Sequence, residues 1–132
     1  MIKVTPLDLI GQDERGSNYG WSANRNGDFM FCTRKAGSSS GQHYHEGKSD
    51  YKNPEILFLF TGEVQIDWCA LDGRKIETVF AKAPARIEVP VNVWHQVIAV
   101  TDCCLIELNS IEDVRRDSVR IWRDEFEKMI NK

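Results

Sequence analysis

The sequence predicts an all-β protein, a barrel or two-sheet jelly roll followed by one C-terminal α-helix. Three observations carry that reading. Short strand-like runs follow one another closely from residue 28 to residue 108, each bounded by Gly, Pro, Asn or Asp. The run Glu55–Thr61 is apolar at both parities, with Leu57 and Leu59 on one face and Ile56, Phe58 and Phe60 on the other. A strand of that kind is covered on both sides. From 111 to 130 the period changes, and Ile111, Val114, Ile121, Trp122, Phe126, Met129 and Ile130 recur at helical spacing with charges between them.

Taken in order, residues 2–10 form an arm holding one short strand. Residues 11–27 are rich in Gly, Asn, Ser and Asp and read as turns, with a brief strand at 18–23. Residues 28–35 are an aromatic and apolar strand. Residues 42–45 are extended, which puts His43 and His45 on one side. A polar loop, 46–54, leads into 55–61, and Gly62 marks a tight turn. In 63–69, Val64, Ile66 and Trp68 alternate with Gln65 and Asp67. The Asp72-Gly73 pair suits a hairpin turn, and strands follow at 76–80 and Ala85–Val89. After a turn at 90–94, the segments 95–100 and 103–108 form a last hairpin. The helix covers 111–130, with Asn109 or Ser110 as its N-cap and Trp122 in its packed face. The helix or a second subunit covers the outer face of 55–61, so a homodimer is expected.

Composition sets the limits. The 132 residues form a single domain, 42% hydrophobic and 28% charged, with net charge −3. That balance offers no basic surface to neutralise phosphates, which argues against nucleic acid as a partner. The longest apolar run is far too short to span a bilayer. No secretion signal is visible at the N-terminus, and a cytoplasmic location is expected. Cys32, Cys69, Cys103 and Cys104 lack metal-type spacing and read as reduced thiols.

Two segments hold all three histidines of the chain. GSSSGQHYHEGKSDYKNPEILFLFTG, 37–62, carries His43, His45 and Glu55; PVNVWH, 90–95, carries His95. Two imidazoles at i and i+2, a third from another strand and a carboxylate make a set of three nitrogens and one oxygen. Such a set suits one divalent transition metal, Zn, Fe, Mn or Ni, without choosing among them. Asp50 and Glu46 are the alternative carboxylates; Glu55 is favoured because it opens a strand of fixed register. By parity Leu57, Leu59, Val97 and Ala99 share the ligand face, and Gln65, Asp67, Arg34 and Glu107 are candidates for polar contacts. Trp94 reads as a rim residue beside His95.

These motifs resemble the cupin superfamily. Gly37, His43, His45, Glu55 and Gly62 match its first motif, and Pro90 to His95 its second. The loop between His45 and Glu55 is longer than usual, and Asn92 stands where the second motif has glycine. Asn is among the residues that best tolerate left-handed backbone angles. The resemblance covers about 28–109 and implies a double-stranded β-helix. Asp13-Glu14-Arg15-Gly16-Ser17 and Gly41-Gln42-His43-Tyr44-His45 are similar to segments of cupins that epimerise or isomerise nucleotide-linked keto-deoxy sugars. In those enzymes a histidine at the position of His43 is the catalytic base. The arginine they place before the motif glycine is Ser40 here; Arg34, Lys35 and Arg15 are candidate substitutes as phosphate contacts. The resemblance therefore implies a carbohydrate isomerase or epimerase acting on a small-molecule substrate. A metal-dependent oxygenase, lyase or isomerase on a small acid or diketone is a second expectation. A non-catalytic ligand-binding cupin is a third.

Overall fold

A computed structural model describes residues 1–108, 111–112 and 116–132. The strands before the site are β1 (Lys3–Pro6), β2 (Asp8–Asp13), β3 (Gly16–Gly20), β4 (Met30–Arg34) and β5 (Ser39–Tyr44). Next come β6 (Glu55–Thr61), β7 (Glu63–Ala70), β8 (Glu77–Lys82), β9 (Ala85–Val89), β10 (Val93–Ala99) and β11 (Cys103–Glu107). A two-residue strand, β12 (Val119–Arg120), precedes the helix α1 (Arg123–Ile130). Two antiparallel five-stranded sheets, ordered β1-β9-β6-β11-β4 and β12-β5-β10-β7-β8, face each other as a jelly roll. β2 and β3 form a separate two-stranded arm, where mostly turns and a strand at 18–23 are expected from sequence.

The inner faces meet in one apolar cluster, including Leu57, Leu59, Val64, Ile66, Ile87, Val89 and Leu105. Alternation on each strand makes this cluster, since every second side chain of β7 and β9 points inward. Leu57, Leu59, Val97 and Ala99 pack together in it, as parity predicts. Gly62, at φ +85°, makes the turn from β6 to β7; an added Cβ would collide with the Asp102 carbonyl oxygen.

Within the chain, the outer face of β6 is covered by residues other than the expected helix. Leu7, Ala23 and Leu108 pack on Ile56 and Phe58. The Trp21 ring lies 5.2 Å from that of Phe58 and 5.3 Å from that of Phe60. The helix instead covers the opposite sheet, where Phe126 and Ile130 pack on Trp94 and Cys69.

The C-terminal segment departs most from expectation. The helix predicted over 111–130 is confined, past residue 116, to Arg123–Ile130, and Val119–Arg120 pairs with Tyr44 and His43 on the edge of β5. Helical periodicity is present but loses to long-range bonding. The Ile121 amide donates to Gln42 O, and Asp117 is buried among backbone amides of the 46–54 loop. The N-cap candidates Asn109 and Ser110, and helix positions 113–115, lie outside the described residues. The observed helix starts after Trp122, with Asp124 and Glu125 at its positive end. Trp122 is half-exposed rather than packed, under the Arg120 guanidinium at 4.7 Å. All four cysteines are free thiols. Among the described residues, no helix is long and apolar enough to cross a membrane.

Candidate active site

Three strands deliver the site. His43 on β5 lies directly across from His95 on β10, and His45 follows at the end of β5. The ring centroids are 4.7 to 5.2 Å apart, and the ligating nitrogens of the three imidazoles lie within 4.8 Å of one another. Close strand approach depends on Gly41, at φ +89°, whose added Cβ would stand 2.9 Å from His95 O. Asn92 takes φ +59°, as its place in the second motif requires, and its amide donates to His45 O at 2.8 Å.

Backbone carbonyls fix two of the rings. His45 Nδ1 lies 2.5 Å from Asp117 O, and His95 Nδ1 lies 3.0 Å from Val93 O. A carbonyl only accepts, so each Nδ1 carries a proton and each Nε2 points into the site. Both Nε2 atoms face Glu55, His45 at 3.4 Å and His95 at 3.7 Å. The His45 contact is within ion-pair reach, and among the described residues its Nε2 has no hydrogen-bond partner. His45 and His95 are buried, while His43 keeps partial exposure.

A lysine that the sequence reading missed completes the centre. Lys52, only 2% exposed, pairs its ammonium with Glu55 Oε2. It comes from the inserted loop, which turns through Asn53 and Pro54 so that Lys52 bridges back to Glu55. The loop is a bonded wall. The Asp117 carboxylate accepts the amides of Glu46, Gly47 and Ser49 at 2.8, 3.1 and 3.1 Å. The other candidate carboxylates, Asp50 and Glu46, are exposed. A lysine three residues before a strand-opening carboxylate, across an Asn-Pro turn, is the signal that was available. Asp117 gave none, lying in a segment read as helix.

Burial, then the neighbouring His95 and His45, push His43 down to about 3. Burial likewise takes His95 down to about 4, against the opposing pull of Glu55. Burial raises the Glu55 carboxyl, but the facing His45 ring and the Lys52 ammonium outweigh it and hold it well below the usual range. The centre at neutral pH is thus a carboxylate, an ammonium and neutral imidazoles at His43 and His95.

No family model and no curated protein sequence matches this chain. Solved structures do match. QdtA, a sugar 3,4-ketoisomerase from Thermoanaerobacterium thermosaccharolyticum in complex with TDP, superposes with TM-score 0.69 at 16% identity, over 96% of this chain and 92% of that one. The WlaRB TDP-quinovose 3,4-ketoisomerase from Campylobacter jejuni gives 0.68 at 21%, over 96% and 97%. A dTDP sugar isomerase from Desulfovibrio desulfuricans gives 0.72 at 13%, over 99% and 88%. The chain has the cupin fold. At these identities the likeness is one of fold, and the chemistry of this chain rests on its own residues.

For a divalent metal, the centre fits in part only. The convergent ring nitrogens of His43, His45 and His95, with Nε2 of His45 lacking a hydrogen-bond partner among the described residues, suit an ion. Glu55 does not, because an ammonium already holds its Oε2.

The remaining candidates lie elsewhere in the cupin barrel. Asp67 and Gln65 face outward, where Asp67 receives Arg123 Nη1 at 2.6 Å, Thr78 Oγ1 at 2.7 Å and Gln65 Nε2 at 2.9 Å. Trp94 is not a rim residue; it is fully buried, stacked on Phe126 at 4.8 Å, with Nε1 donating to Ile121 O. Arg34 and Lys35 line a hollow with Thr61 and Cys103, at the far end of β6 from Glu55. Arg15 pairs with Asp13 at the exposed tip of the β2–β3 arm. Arg25 and Arg116 border a polar hollow of about 690 Å³ along the inserted loop, with Ser49, Asp50, Tyr51 and Glu112, the last ion-paired with Arg116 at 3.3 Å.

Proposed function

We propose that this cupin isomerises or epimerises a keto-deoxy sugar carried on a nucleoside diphosphate, with His43 as the base. The observation that carries the reading is the position of His43. It is the one imidazole of the three with solvent access, while the Nδ1 atoms of the other two are held by backbone carbonyls. His43 takes a proton from the carbon beside the sugar ketone, and the electron pair moves onto the carbonyl oxygen as an enolate. Return of that proton to the neighbouring oxygen-bearing carbon, with the hydroxyl proton on the original carbon's oxygen passing to the enolate oxygen, moves the ketone; delivery of a proton to the original carbon from the opposite face, by a donor other than His43, epimerises it. The apolar wall of Leu57, Leu59 and Val97 limits water around the enolate. Arg25 and Arg116, beside the inserted loop, offer guanidinium groups to the diphosphate. Support comes from fold neighbours named as TDP-sugar ketoisomerases, one of them in complex with TDP-4-keto-6-deoxyglucose.

The test is proton exchange in deuterated water with TDP-4-keto-6-deoxyglucose, followed by NMR. Deuterium enters beside the ketone with the wild-type chain and does not with His43→Asn. Absence of exchange, together with no thermal shift from any nucleoside diphosphate, overturns the reading.

The partnerless Nε2 of His45 favours a second reading, in which His43, His45 and His95 hold a divalent metal. Such an ion, held by these three imidazoles, would supply Lewis-acid chemistry, which suits an oxygenase or lyase on a small acid or diketone.

A further inference from the structure

We propose that Lys52 is the resident cation of this centre, its ammonium standing in the place beside Glu55 that a divalent metal would need. The Glu55 carboxylate and the Nε2 atoms of His45 and His95 converge in a buried space. A carboxylate is costly away from water without a counter-charge, so the cluster requires a positive charge. Lys52 supplies it directly on Glu55 Oε2.

The placement is built rather than incidental. A lysine on a polar loop ordinarily keeps its ammonium in water. Lys52 is instead 2% exposed, and its backbone is held at both ends. Its own amide donates to Ser49 O at 3.0 Å, and the Ser49 amide donates to Asp117 Oδ2 at 3.1 Å. On its other side it bridges to Glu55, the first residue of β6. The extra length of the 46–54 loop has this use: it carries the chain far enough from His45 to return a cation into the barrel.

A dication on Nε2 of His45 and His95 would share Glu55 with the ammonium, and like charges at that range repel strongly in a buried site. The carboxylate that would balance the ion is already neutralised. The Nε2 atom of His45 is thereby left for a polar group of a bound molecule rather than for an ion.

The test is metal binding by the purified chain, which does not depend on the sugar-nucleotide reading. Wild-type protein and Lys52→Met are incubated with Zn2+, Mn2+ or Ni2+, desalted and analysed for metal. The wild-type chain retains no stoichiometric metal. K52M, with Glu55 freed, retains one ion per chain, binds it roughly 100-fold more tightly than the wild type, and gains thermal stability from zinc. One ion per wild-type chain overturns the proposal, and so does a folded K52M that takes none. If K52M does not fold, the double variant Lys52→Met/Glu55→Gln replaces the pair with neutral groups of similar size. It binds zinc through three imidazoles where the wild type does not, and failure to gain binding is again decisive against Lys52. A metal-free wild type that also shows no deuterium exchange leaves Lys52 standing and removes only the substrate reading.

Discussion

His45 Nδ1 stands 2.5 Å from the backbone carbonyl oxygen of Asp117, a residue 72 positions further along the chain. The same residue's carboxylate accepts the amides of Glu46, Gly47 and Ser49. One aspartate thus sets the tautomer of a site imidazole through its main chain and orders the inserted loop through its side chain.

Asp117→Ala leaves three part-buried amides without their acceptor. A loss of about 3 kcal/mol is expected, as for charge-assisted bonds removed from one side. Urea unfolding measures it, and limited proteolysis should cut first within 46–54. An unfolding midpoint unchanged from the wild type contradicts the role given to Asp117.

Acid should destabilise the protein well before its carboxylates are protonated. His43 and His95 are held at about 3 and about 4, against 6.5 in the unfolded chain. Between those values the unfolded state binds more protons than the folded state. The stability from the neutral rings is therefore complete above pH 6.5 and is lost as pH falls through the window. Each ring contributes on the order of 3 kcal/mol at most by pH 4. Urea midpoints at pH 7 and pH 4.5 should differ, and His95→Gln should reduce the difference. A midpoint flat across that range shows that the rings titrate normally.

Gly41→Ala should be costly for its size. The residue sits at φ +89°, and the new Cβ meets His95 O at 2.9 Å. A loss of roughly 2 kcal/mol or more is expected from backbone strain and displacement of β10. The ring signals of both His43 and His95 should move in NMR spectra, because the collision lies between their strands.

The expected homodimer now rests on different residues. Trp21 covers the outer face of β6, yet Phe29, Phe31 and Phe80 remain exposed, as do Leu9 and Ile10 on the β2–β3 arm. Light scattering should give twice the 15.2 kDa chain mass, and the double change Leu9→Asp/Ile10→Asp should give the monomer. A monomeric wild type excludes the dimer.

Most of the barrel was legible in the sequence because its signals are local. Alternation in Glu63–Ala70, two-sided apolarity in Glu55–Thr61 and the Asp-Gly turn each depend on a few neighbouring residues. The convergence of His43, His45, Glu55 and His95 was legible too, since strand parity and the motif spacing both report it. What was not legible depends on distant partners. The stretch 117–121 has residues suited to a helix, yet its groups bond to Gln42, His45 and the inserted loop. Lys52 looked like any loop lysine because burial is set by where a loop returns, not by its composition.

That dependence of His45 on Asp117 also orders events during synthesis. The ribosome releases the barrel strands β1 to β11 before residue 117 emerges. A nascent chain at that stage can pair its sheets, but it lacks the carbonyl on His45 and the carboxylate that folds the lysine-bearing loop. The centre is therefore completed only after the strands that carry its histidines and its carboxylate have been made.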